Sequence, residues 1–192
     1  LQGHKGATGE LYVHPPQAGT NLAVIGSGVE GGHLIYHVMG CSEGSFFNIR
    51  TTGGGDHTIM VSSDESLRTS NCVLQITDSG GANTTLAVDG SKDGRDLTWF
   101  VQDGLLRVLD GDFDPHPFMV HSTGIDAQHI LLGPGANKVN HLRSNTDTIF
   151  TSADGGEGAS AVVTEPMASV VFDGAWSDIT YKMSAAQPLS SL

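Results

Sequence analysis

Apolar and polar residues alternate along most of this chain in short runs. In the segment SFFNIR, Phe47 and Ile49 fall on one face of an extended backbone, with Asn48 and Arg50 on the other. That two-residue period belongs to a half-buried β-strand. Runs of the same kind are NLAVI from Asn21, HLIYHVM from His33, HTIMVSS from His57, CVLQIT from Cys72, TLAVD from Thr85, LTWFVQ from Leu97, LLRVL from Leu105, FMVHS from Phe118 and HILLG from His129. Each is rich in β-branched and aromatic residues and ends in the Gly, Asp, Asn or Ser that favour turns. No stretch sustains a helical period with caps. The pattern predicts an all-β fold of short, glycine-punctuated strands.

The pattern also repeats. NLAVIGSGVEGGHLIYHVMG from Asn21 is echoed by TLAVDGSKDGRDLTWFVQDG from Thr85. A second match, from Phe46 onto Leu105, runs without a gap and pairs His57 with His116, Met60 with Met119, Val61 with Val120 and Ser63 with Ser122. A unit of roughly 60 residues thus occurs twice in tandem, as in architectures whose units stack to bury a shared apolar face. The expected organisation is a stub and linker over 1–18, a first β repeat over 19–80, a second with following strands over 81–152, and a closing hairpin and tail over 153–192. The hairpin is expected to turn at Asp173-Gly174. In the stub, Gly3, Gly6 and Gly9 keep the spacing of a collagen-like stem, followed by the stiff HPPQAG.

Composition narrows the function classes. The formal charge is −12, with only nine Lys and Arg scattered singly, so no basic face for nucleic acid is expected. No apolar run is long enough to span a bilayer as a helix. Cys41 and Cys72 are the only cysteines, too few for a disulfide framework and without a CxxC pair for zinc. The chain begins at Leu1 rather than Met, which suggests a fragment or a processed product.

Several motifs invite chemistry. Gly26, Gly28 and Gly31 follow an apolar strand in the G-x-G-x-x-G spacing of dinucleotide-binding folds. No helix follows to meet a pyrophosphate, and the echo replaces Gly28 with Lys92, so a plain turn is expected. Asp110, Asp112 and Asp114 alternate in DGDFDP, and alternating loop oxygens could wrap Ca2+ or another structural cation. Pro115 breaks the EF-hand pattern, which leaves a solvated acidic turn as the alternative. His33 and His37 lie four apart, roughly 13 Å along one face of a strand. Trp99, Trp176, Tyr36 and Tyr181 suit either a core or stacking on sugar rings. Asn83-Thr84-Thr85 forms a glycosylation sequon. No H-E-x-x-H is present; no catalytic residue is singled out and no cofactor is expected.

The succession NLAVIGSG, GGHLIYHVMG and SFFNIRTTGGG resembles the repeat units of bacteriophage tail fibres and related virion appendages. The segment Val171-Phe172-Asp173-Gly174-Ala175-Trp176 is similar to the Y-D-G-x-x-W closing segment of such proteins, with Phe for Tyr and one residue fewer before Trp. The resemblance covers about 21–122 and 168–180. It implies an intertwined homotrimer, either a triple-stranded β-helix or a β-sandwich or jelly-roll-like assembly. It also implies a location on the virion, outside the cell, with a host-surface glycan or protein and other virion proteins as partners. The expected function is non-catalytic host attachment. The alternatives are a capsid decoration protein or a tailspike-like polysaccharide depolymerase.

Overall fold

The computed structural model describes residues 5–14, 18–39, 41–61, 67, 70–80, 83–110, 118–153 and 158–183, with the side chains of 41–43 and 70–72 outside the description. Among these residues are β-strands and no α-helix. They are β1 (Thr8–Val13), β2 (Asn21–Gly28), β3 (His33–Val38), β4 (Cys41–Gly53), β5 (Asp56–Val61), β6 (Ser70–Asp78), β7 (Asn83–Asp89), β8 (Leu97–Gln102), β9 (Leu105–Asp110), β10 (Phe118–Thr123), β11 (Ala127–Leu131), β12 (Lys138–Leu142), β13 (Asp147–Thr151), β14 (Ala159–Thr164), β15 (Val170–Asp173) and β16 (Trp176–Lys182).

The strands form two sheets. One has seven strands in the order β1-β3-β5-β7-β11-β13-β15, and the other nine in the order β2-β4-β6-β10-β9-β8-β12-β14-β16. Every pairing in the first is parallel. The second is parallel except where β9 runs against β8 and β10. From β1 to β8, and again from β10 to β16, the chain changes sheet after every strand. A single chain therefore winds as a two-sheeted parallel solenoid.

The coil is shorter than the echo in the sequence. Thr8 sits beside His33, His33 beside Asp56 and Asp56 beside Asn83, steps of 25, 23 and 27 residues. Beyond the middle, Ala127 sits beside Asp147 and Thr148 beside Val170, steps of 20 and 22. The echoing strands lie in opposite sheets: β2 is in the nine-stranded sheet and its match β7 in the seven-stranded one. What the echo preserves is the inward phase. Leu22, Val24 and Gly26 take the phase of Leu86, Val88 and Gly90, because alternation encodes which face is buried and not which sheet a strand joins.

Two local expectations give way to the same winding. The segment read as a closing hairpin is an arch: β15 pairs parallel with β13 and β16 with β14, and the Asp173-Gly174 turn carries the chain between sheets. In the stub read as collagen-like, Thr8–Val13 form β1, paired along its length with β3. Gly9 lies inside that strand, where a Cβ would stand 3.0 Å from Leu34 Cδ2.

The core lies between the sheets. One inward row stacks Val13, Val38, Val61, Val88, Ile130 and Phe150 coil over coil, and all six are buried. Each such side chain contributes about 1.5–3 kcal/mol of transfer free energy. The largest inward rings need room opposite them. A Cβ on Gly26 would stand 1.7 Å from the Tyr36 hydroxyl, and one on Gly90 3.1 Å from the Trp99 ring. The two glycines that the echo aligns thus face the largest buried rings of their neighbouring strands.

Candidate functional site

The nine-stranded sheet has two more strands than its partner, and the excess sits in one place. After β7 the chain enters β8, turns back through Asp103-Gly104 into β9, and returns as β10 before crossing to β11. Strands β10 and β12 are therefore separated by β9 and β8, while the strands they feed, β11 and β13, are direct neighbours. At ~4.8 Å per strand, the corner connections start roughly 14 Å apart on one sheet and finish roughly 5 Å apart on the other. They cannot stack over that wedge. The opening they leave is a cleft of about 430 Å3.

Each wall comes from one chain segment. Asp103 and Gly104 supply the hairpin turn, Ser122 to Ile125 the end of β10 and its corner, and Asn145 and Thr146 the corner after β12. Gly104 (φ 66°) and Gly124 (φ 79°) hold left-handed conformations. A Cβ on Gly104 would also stand 2.6 Å from the Ser122 carbonyl oxygen, so this wall requires glycine. The Ser122 amide donates to the Gly104 carbonyl at 2.8 Å, which ties turn to strand. On the far wall the Thr146 amide donates to Ser144 Oγ at 3.2 Å. Asn145 Nδ2 donates across the opening to Asp103 Oδ1 at 3.4 Å. None of the described residues lining the cleft is Lys, Arg or His.

The core near the insertion also becomes polar. Gln128 and Thr148 continue the inward row of Leu86, and Gln128 Nε2 donates to Thr148 Oγ1 at 2.8 Å. His141 of β12 is buried, meets Phe150 edge-on at 6.2 Å between centroids, and has neither ring nitrogen hydrogen-bonded. Burial pushes its pKa below the ordinary value and keeps the ring neutral. At the opposite corner, Arg95 clamps the insertion. Its guanidinium donates from Nε to Asp93 Oδ1 at 2.8 Å, from Nη2 to Asp93 Oδ2 at 2.6 Å and from Nη1 to Asp110 Oδ2 at 2.6 Å. These charge-assisted bonds, led by those to Asp93, raise the Arg95 pKa further.

The described residues suggested by the sequence lie elsewhere. Asp110 ends β9 and receives Arg95, whereas Asp112 and Asp114 lie outside the described residues. Among the described residues no three of His, Cys, Asp or Glu group as a metal site. Gly28 makes way for His57, whose Nε2 would stand 2.9 Å from a Cβ there, so Gly26 and Gly28 serve packing. His57 is buried, shares a 3.1 Å hydrogen bond with the Tyr36 hydroxyl, and has its pKa lowered chiefly by burial. Burial pushes the Tyr36 phenol up to about 12. His116 lies outside the described residues. His33 and His37 sit on the outer face of β3, where His33 Nε2 meets Thr58 Oγ1 at 2.9 Å and His37 stacks on Tyr12 at 4.4 Å. Trp99 is core, its indole N–H donating to Asn137 Oδ1 at 2.9 Å. Trp176 packs edge-on against Phe172 in the last coil, and Tyr181 is exposed. Asn83 of the sequon donates to Asp56 Oδ1 at 3.0 Å. The side chains of Cys41 and Cys72 lie outside the description.

One sequence signal pointed to the cleft: Asp103-Gly104, two residues between the alternating runs LTWFVQ and LLRVL, is a strong short-range hairpin pattern. Asn145, Ser122 and Thr146 carry no comparable signal. No family model, curated protein or solved structure matches the chain.

Proposed function

We propose that this protein is a non-catalytic module of a virion appendage, a tail or head fibre that attaches the particle to a host-cell surface. The observation that carries this reading is the parallel two-sheeted coil, repeated along one axis. Such a stack is stiff, and its stability adds up coil by coil, which suits a spacer or tip that must hold its shape under load. The acidic surface keeps it soluble at high local density.

The proposed assembly is a homotrimer. Parallel sheets are usually covered on both faces. The outer face of the seven-stranded sheet carries Met60, Ala87, His129, Ile149 and the exposed Val171 in one row across β5, β7, β11, β13 and β15. Packing copies through that face would cover the row.

Light scattering after size exclusion tests the assembly, with an expected mass near three times the 20.0 kDa chain. Adsorption of the labelled protein to host cells tests attachment. A monomer that does not adsorb would overturn the reading. Release of reducing sugar from host capsule would move the protein to the depolymerase class, and binding to capsids but not to cells would move it to decoration.

A further inference from the structure

We propose that the cleft at the Asp103-Gly104 turn binds a neutral pyranose ring, with Asp103 and Asn145 engaging adjacent hydroxyls. The inference rests on the attachment reading and specifies what the attachment would recognise.

A sugar hydroxyl both donates and accepts. A carboxylate beside a primary amide answers both needs, because the first only accepts while the second donates two protons and accepts at its oxygen. Asp103 and Asn145 stand at that separation, 3.4 Å from Oδ1 to Nδ2, on opposite walls. Ser122, Thr123 and Thr146 add hydroxyls, and Ile125 adds an apolar patch for the C–H face of a ring. About 430 Å3 lies in the range of small-molecule pockets and accommodates one or two pyranose rings.

Charge selects among sugars. Among the described residues the lining holds a carboxylate and no cationic side chain, in a chain of formal charge −12. Uronic acids, sialic acids and phosphorylated sugars are therefore disfavoured. A lone carboxylate among hydroxyls falls short of the several oxygen anions that a tight Ca2+ site gathers. The walls are preformed: Gly104 and Gly124 fix both turns of the near side, and Ser144 fixes the far corner. Little ordering is left to occur on binding.

The test uses the whole chain and the methyl glycosides of glucose, galactose and mannose at millimolar concentration, read by saturation-transfer NMR and titration calorimetry. At least one is expected to show transfer to its ring protons. Asp103→Asn and Asn145→Ala should each weaken binding at least tenfold, and Asn145→Trp, which also narrows the cleft, should weaken it further. All three are exposed surface changes, and matching urea midpoints would show the fold intact. Absence of transfer from all three glycosides, or transfer untouched by all three variants, overturns the inference, as would a calorimetric response to Ca2+ alone. Cell adsorption separates this from the attachment reading. Adsorption that survives in Asn145→Trp discards the cleft and keeps the attachment role. Sugar binding by a wild-type protein that does not adsorb keeps the cleft and discards the role.

Discussion

Between β1 and β7 the chain crosses to the other sheet after every strand, and each coil lays its inward residues on those of the coil before. Between β8 and β10 the same kind of short alternating strand stays in one sheet, doubles back and only then crosses. The regular region buries Leu34, Ile59 and Leu86 beside the polar His57 and Thr84. The interrupted region has a polar patch in its core, an arginine clamp at one corner and an open cleft at the other. On this solenoid the cleft coincides with a break in the repetition.

The largest expected effect strikes the interruption. Asp93 is buried, its side chain 1% exposed, and Arg95 neutralises it while tying β9 to the corner. Arg95→Ala leaves that carboxylate without its counter-charge, at a cost of about 3–5 kcal/mol. Arg95→Lys should recover only part, since an ammonium lacks the planar fork. Hydrogen exchange resolved along the chain should show protection lost first in β8–β10 while β3–β6 keep theirs. A uniform loss would mean that the two regions are one cooperative unit.

Gly26 tests the regular region. An added Cβ meets the Tyr36 hydroxyl at 1.7 Å, so Gly26→Ala should cost about 1–3 kcal/mol through overpacking. Tyr36→Phe removes the closest clashing atom but leaves Cζ at 2.8 Å, so it should rescue part of that loss, a coupling that urea unfolding of the double mutant would measure. Independent, additive losses would contradict the packing role given to this glycine.

The smallest effect concerns His141, just past the insertion. Its folded pKa is lowered by burial, so the unfolded chain takes up the proton first. Its contribution is fully present above the ordinary value of 6.5 and is lost as pH falls through and below it. His57 acts in the same direction. His141→Leu removes two unpaired ring nitrogens, should add about 1 kcal/mol at neutral pH, and should leave a shallower acid decline, due to His57. Thermal unfolding between pH 7 and 5 would show whether the slope halves or stays.

Much of the strand content was legible. LTWFVQ and LLRVL became β8 and β9 almost residue for residue, and HLIYHVM became β3, because alternation and turn residues are local properties. Partners were not. In Val171-Phe172-Asp173-Gly174 the turn was readable, yet whether it closes a hairpin or an arch depends on β13 and β14, the strands with which β15 and β16 pair. In the cleft, Asp103-Gly104 was a visible turn, but its meeting with Asn145, 42 residues away, was not.

By itself the sequence determined that the chain is built of strands, where most of those between Asn21 and Leu131 lie and which of their faces is buried, since these follow from side-chain chemistry at a two-residue period. Only the tertiary structure decided that the strands run parallel in two sheets, and that two extra strands in one of them open a wedge at the corner. The reason is physical: a strand's inward face can be satisfied by many neighbours, and the neighbour is chosen by how all the coils stack together.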